Sequence, residues 1–112
     1  MTPDRFCETL EIPRSQLNQW LRPRGIFHGV PREVGVYSAA DVAVAFVFLE
    51  LQQLLGTRSD MAAQYTVELA PRLRAMVASQ TLPSTLKVQI GTGPVTVTVD
   101  LTAVVENLPA LV

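Results

Sequence analysis

A chain of 112 residues with a net charge of −1 and 48% apolar residues has the size of one domain, or of one domain with a small appendage. It carries enough apolar side chains for a packed core rather than disorder. One cysteine and one histidine leave no basis for a disulfide framework or a structural zinc site. The longest uncharged apolar run, VAVAFVFL at Val42–Leu49, is too short to cross a bilayer, and the N-terminus has no stretch of signal-peptide character. These features lead us to expect a soluble, cytoplasmic protein with no membrane contact, metal or cofactor.

In chain order, Thr2 followed by Pro3 reads as an N-cap and a proline at the first helical position. A first helix is expected to about Leu10, with Phe6 and Leu10 on its inner face. Glu11 to Pro13 leave room only for a tight turn. A second helix follows from about Arg14 to Arg22, with Leu17, Trp20 and Leu21 at helical spacing as its inner stripe. Its opposite stripe is Ser15, Asn18, Gln19 and Arg22. Pro23 ends this helix and Gly25 suits a left-handed cap after it. In GIFHGVPREVGVYS the pieces Ile26-Phe27 and Val36-Tyr37 flank Gly29, Pro31, Arg32 and Gly35, which reads as a small hairpin, or wing, with a basic tip.

Ser38 with Asp41 three residues on forms a capping-box-like start to a third helix, which runs to about Leu55 and is closed by Gly56. Its middle is apolar almost all round, so it should touch the core on one side and a partner or the C-terminal part on the other. Ser59-Asp60 can cap a fourth helix to about Ser79, with Leu69, Leu73, Met76 and Val77 inward. Pro71 predicts a kink in it, or two short helices. The period then changes to two in LKVQI and VTVTV around the turn GTGP, which predicts a β-hairpin. Asp100 caps a last turn or two of helix carrying Leu101, Val104, Val105 and Leu108. The expected architecture is mainly α with small β. It comprises a winged helix-turn-helix over residues 1–56, then a kinked helix, β-hairpin and short terminal helix over 57–112 as a dimerisation or interaction region.

Charge is unevenly distributed. From Ile12 to Arg32 there are four arginines and His28 but no carboxylate, whereas from Ser38 onward six acids face four bases. A basic stripe on an acidic body is the local footprint of nucleic-acid binding. Asn and Gln can pair bidentately with adenine and Arg with guanine in the major groove. Arginines past the helix end and on a wing would hold phosphates or probe the minor groove. Cys7 reads as a small buried hydrophobe and Trp20 as core. GTGP is not followed by the helix and Lys-Ser/Thr pair of a phosphate loop, and no paired carboxylates or nucleophile with a base suggest an enzyme.

With IPRSQLNQWL as second helix, RGIF as its exit, VYSAAD as the return into a capped helix and an apolar helix after it, residues 1 to 55 resemble the DNA-binding domain of MerR-type regulators and of the related phage excisionases. The resemblance implies a winged helix-turn-helix fold in a bacterial or phage-encoded protein. It implies base or backbone contacts from Arg14, Gln16, Asn18 and Gln19 of the second helix, and backbone or wing contacts from Arg22, Arg24 and Arg32. Ser15 and His28 complete the candidate DNA-binding set. The chain departs from the family at Asn18 and Val36, where basic residues are usual. It departs again after the third helix, where Pro71 and a hairpin replace a long coiled-coil helix, and no cysteine cluster or ligand domain follows. A compact transcription regulator or excisionase-like factor of a mobile element is therefore expected. Its partners would be double-stranded DNA, a second copy of itself docked through the third and fourth helices and the C-terminal hairpin, and RNA polymerase or a recombinase as a second protein factor. The rival reading is a protein-interaction module of antitoxin or anti-activator type that keeps the fold without binding DNA.

Overall fold

The computed structural model describes residues 1–28, 35–56, 59–89 and 95–111. Five helices and one two-stranded antiparallel sheet follow in the order α1 (Pro3–Leu10), α2 (Arg14–Trp20), α3 (Ala39–Leu54), α4 (Ser59–Ala78), β1 (Thr85–Gln89), β2 (Thr96–Asp100) and α5 (Thr102–Leu111). The chain is thus mainly helical, and none of its described helices is long and apolar enough to cross a membrane.

α1 starts as its sequence suggests: the Thr2 hydroxyl accepts from the Arg5 N–H at 3.2 Å, and Pro3 occupies the first turn. It stops at Glu11, which takes a left-handed conformation (φ 56°) and returns its N–H to the Cys7 and Glu8 carbonyls. That reversal sends the chain straight into α2. Beneath the two short helices lies an aromatic cluster. The Phe6 ring stacks on Tyr37 at 4.5 Å, and Trp20 meets Phe27 and Phe48 edge-on at 5.9 and 5.7 Å.

α3 is the central element. Both halves of its capping box form: the Ser38 hydroxyl accepts from the Asp41 N–H, and the Asp41 carboxylate accepts from the Ser38 N–H at 2.9 Å. Gly56, at φ 71°, follows its last turn. Nine of its sixteen residues are buried, packed against α1, α4, α5 and β2. The second neighbour that its all-round apolarity calls for is the C-terminal part of the same chain.

α4 is one helix of twenty residues, neither broken nor split at Pro71. Pro71 and Val67, whose carbonyl loses its helical donor, are both exposed, so water can satisfy that carbonyl. Burial of Ala62, Thr66 and Leu73 holds the helix on either side of the proline. The Thr66 hydroxyl donates to the Ala62 carbonyl at 2.7 Å and so is satisfied within the helix.

In the sheet, Leu86 pairs with Val99 and Val88 with Val97. Leu86, Val88 and Val99 are buried, while Lys87, Gln89, Thr96 and Thr98 are exposed, which is the alternation that the period of two predicts. The apolar face packs within the chain. Ile90 and the turn residues 91–94 lie outside the described residues, and Val95 is exposed ahead of β2. α5 is longer than the expected turn or two: ten residues, begun where Asp100 accepts from the Thr102 N–H at 2.9 Å, with Leu101 and Val104 buried. Packing of α5 on α3 supplies what local propensity does not.

The expected wing is not confirmed among the described residues. Among the described residues β1 and β2 are the only strands. Ile26 and Phe27 sit in turns and are buried in the aromatic cluster. Tyr37 exchanges backbone hydrogen bonds with Met1 instead, its N–H donating to the Met1 carbonyl at 2.9 Å while the Met1 amine donates to the Tyr37 carbonyl at 2.6 Å. The expected basic tip, with Gly29, Pro31 and Arg32, lies outside the described residues.

Candidate nucleic-acid interface

α2 is short, seven residues, and is anchored by Leu17 and Trp20. Leu21, expected in the same inner stripe, is 41% exposed. The helix ends at Trp20, with Leu21 as its C-cap. Arg22 therefore lies just beyond the helix rather than on its last turn, with its N–H held by the Gln19 carbonyl at 3.2 Å.

The exit from α2 is tightly wound. The Gly25 N–H donates to Arg22 at 2.8 Å, the Phe27 N–H to Trp20 at 3.0 Å and the His28 N–H to Gly25 at 3.2 Å. Arg24, not Gly25, takes the left-handed conformation, at φ 72°. Gly25 is required for a different reason: a Cβ there would stand 2.1 Å from the Trp20 carbonyl oxygen. This close approach folds the exit back under the end of α2, so that Phe27 reaches the core while Arg22, Arg24 and His28 remain exposed.

The candidate residues divide accordingly. Ser15, Asn18 and Gln19 are exposed together on the outer side of α2, and Arg22, Arg24 and His28 continue that polar surface past its end. Gln16 is half-buried and lines a cleft with Trp20, Phe48 and Gln52, to which the exposed Gln19 and Arg24 also contribute. Arg14 is exposed but engaged, its Nη1 lying 2.8 Å from a carboxylate oxygen of Asp4. Arg32 lies outside the described residues.

Two charged contacts were missed from the sequence. Asp4 joins Arg14 across the turn between α1 and α2, ten residues apart. Its only sequence signal is that each sits in the first turn of its helix. Arg74 of α4 donates to Asp41 at 2.8 Å, 33 residues away, and no local pattern announces that pair. The carboxylate of Asp41 is 5% exposed and also receives the Ser38 N–H and hydroxyl, so the cap of α3 and the side of α4 share one acid.

The remaining chemistry is quiet. Burial pushes the Cys7 thiol up from its ordinary range, with nearby Arg14 opposing in part and Asp4 adding to the rise, which keeps it protonated at neutral pH. No group of three or more His, Cys, Asp or Glu side chains placed to hold a metal occurs among the described residues. Beside the α2 exit runs an open groove of about 580 Å³, with Arg24 and His28 on one wall and Ala63, Gln64, Val67 and Glu68 of α4 on the other. No family model, curated protein or solved structure matches the chain.

Proposed function

We propose that the protein is a sequence-specific DNA-binding protein of winged helix-turn-helix type, acting as a compact transcription regulator or as an excisionase-like factor. One observation carries the reading: the outer side of α2 and its exit present Ser15, Asn18, Gln19, Arg22, Arg24 and His28, all exposed, without a carboxylate among them. Amide side chains suit adenine edges in the major groove, and the arginines past the helix end suit phosphates on its flank. The buried Leu17 and Trp20 give the helix the rigid seating that base readout needs.

Two copies on a two-fold site belong to the same reading. Because the apolar faces of α3 and of the hairpin are filled within one chain, contact between copies would fall to the exposed side of α4 and the outer hairpin. RNA polymerase or a recombinase would be the second factor at the site. The test is selection of bound duplexes from a random pool, followed by affinity measurements against salt. Three to four arginine–phosphate contacts predict a loss of roughly 40- to 150-fold between about 50 and 200 mM salt. Recovery of no enriched motif, or an affinity indifferent to salt, refutes the proposal.

A second reading, a protein-interaction module without DNA binding, draws on the groove beside the α2 exit, which exposed Val67 lines together with Arg24 and Glu68. It predicts retention of a specific protein and of no duplex at low salt. Charge reversal at Glu68 would weaken that capture.

A further inference from the structure

Among the described residues, β1 has a strand neighbour on one side only. The Leu101 N–H donates to the Ser84 carbonyl at 2.7 Å, one step beyond the Thr85–Asp100 pair. Hydrogen-bonded and non-hydrogen-bonded pairs alternate along an antiparallel ladder, so Leu86–Val99 and Val88–Val97 carry the bonds between the strands. The backbone N–H and C=O groups of Thr85, Lys87 and Gln89 therefore point away from β2, along the outer edge of β1. On that side α4 stands off across a cleft of about 360 Å³, lined by β1 and by no described residue of β2. Tyr65, Glu68, Leu69 and Arg72, at helical spacing, form one wall, and Lys87, Val88 and Gln89 form the other. Tyr65 and Leu69 are half-buried, whereas Glu68, Arg72 and Lys87 are exposed. Neither Arg72 nor Lys87 is engaged in a hydrogen bond or ion pair among the described residues.

A strand edge that faces a helix across a groove suits an extended peptide, which can add to the sheet there. We propose that the β1 edge and α4 form a docking groove for an extended acidic segment of another protein, which joins β1 as a third strand. This inference goes beyond the DNA-binding reading and does not rest on it. Backbone pairing with Thr85 and Lys87 holds the segment, and its side chains alternate between the two faces. Those on the outer face stand beside Lys87, where a carboxylate meets an unpaired ammonium. Those on the inner face meet Val88 with Tyr65 and Leu69 of α4, where apolar groups are favoured. Arg72 adds a second cation against the single acid Glu68, so the cleft is positive on balance. A second copy suits this edge poorly. Antiparallel pairing of β1 with itself at greatest overlap sets Lys87 opposite Lys87, and lysine on an edge is a guard against such self-pairing.

The test is selection against the full chain from a random pool of peptides about eight residues long. Enriched peptides are expected to alternate acidic with apolar or β-branched residues. The best of them, made synthetically, should lose roughly 3- to 10-fold in affinity on Lys87→Glu or on Arg72→Glu. Both residues are exposed, and circular dichroism confirms that each variant is folded. The Lys87→Glu/Arg72→Glu double variant should select basic peptides in place of acidic ones. N-methylation of the peptide reports the strand geometry. Methyl groups on the alternate amides that face β1 should weaken binding by at least about 3-fold each, while the intervening amides tolerate them. The Thr85 and Lys87 amides of the protein should exchange more slowly in the complex. A pool that yields no acidic alternating peptide overturns the proposal, as does a best peptide indifferent to both charge reversals. Equal sensitivity to N-methylation at every position also refutes it, because an added strand turns only every second amide toward β1. No DNA enters these measurements, so failure of the DNA-binding reading leaves their outcome unaffected.

Discussion

Replacing Asp41 by alanine removes the acceptor that serves the Ser38 N–H, the Ser38 hydroxyl and the Arg74 guanidinium at 2.9, 3.2 and 2.8 Å. Loss of the capping box costs about 1 kcal/mol. The second contribution comes from Arg74, left without its carboxylate. An uncompensated charge in a fully buried pair costs about 3–5 kcal/mol. Arg74 keeps 29% of its side chain exposed and can recover part of its hydration, so about 1–3 kcal/mol is the reasonable share. The sum, about 2–4 kcal/mol, is large against the marginal stability of a small domain. Arg74→Met separates the two contributions, since it leaves the cap intact and keeps the alkyl packing. Urea denaturation of the parent, both single variants and the double variant gives the coupling free energy, expected at about 1–3 kcal/mol. A coupling below about 0.5 kcal/mol would refute the view that this pair joins α3 to α4, and would reduce Asp41 to a helix cap.

Gly25→Ala should destabilise the chain by about 2–3 kcal/mol or more, because the obstacle is the backbone carbonyl of Trp20 and not a movable side-chain end. Chemical denaturation checks it, and a neutral result would mean that the α2 exit winds differently. Trp20→Ala should cost about 3–5 kcal/mol while Leu21→Gln stays within about 0.5 kcal/mol, although the two residues are adjacent. Comparable losses at both positions would place Leu21 back in the inner stripe. The Thr102 hydroxyl and N–H hold the Asp100 carboxyl below its ordinary range. Asp100 therefore favours the folded α5 start above the ordinary carboxylate range, and that contribution fades as pH falls through its lowered value. The protection factor of the Thr102 amide, its exchange rate taken relative to the unprotected rate at each pH, should fall on acidification in the parent and show no such step in Asp100→Asn.

The elements that rest on periodicity and caps could be read directly. The Ser38–Asp41 box, the Thr2-Pro3 start, Gly56 after α3 and the alternation of Leu86 and Val88 with Lys87 and Gln89 are all local patterns, and each is present. The expectations that the described residues do not confirm depend on contacts distant in sequence. Val36-Tyr37 has strand-like composition, but Tyr37 finds its backbone partner in Met1 and its ring partner in Phe6. Pro71 leaves open a kink or two short helices, and α4 is one helix that lies along α3 with its proline toward solvent. For the candidate interface, exposure of Ser15, Asn18, Gln19, Arg22, Arg24 and His28 follows from helical spacing and the turn after it. The half-burial of Gln16 requires knowing that Phe48 and Gln52 stand beside it. Neither ion pair is legible without the fold.

The structure also relocates the reason for the C-terminal half. Taken alone, a hairpin with one apolar face is a pairing liability and suggests a dimer seam. Here Leu86, Val88 and Val99 are buried within their own chain, and Leu101 and Val104 extend that cover. The hairpin and α5 are thus parts of the core that encloses α3. α3 in turn is seated by Asp41 against α4 at the same end where Tyr37 enters the aromatic cluster under α1 and α2. The polar face of α2 therefore depends on a scaffold that runs the length of the chain. Phe27 and Phe48 meet the Trp20 ring, Tyr37 backs Phe27, and burial by the C-terminal elements holds α3, which carries Phe48, in place. A helix of seven residues cannot hold its own shape in water. In this protein, the distant half supplies the rigidity that any readout by so short a helix requires.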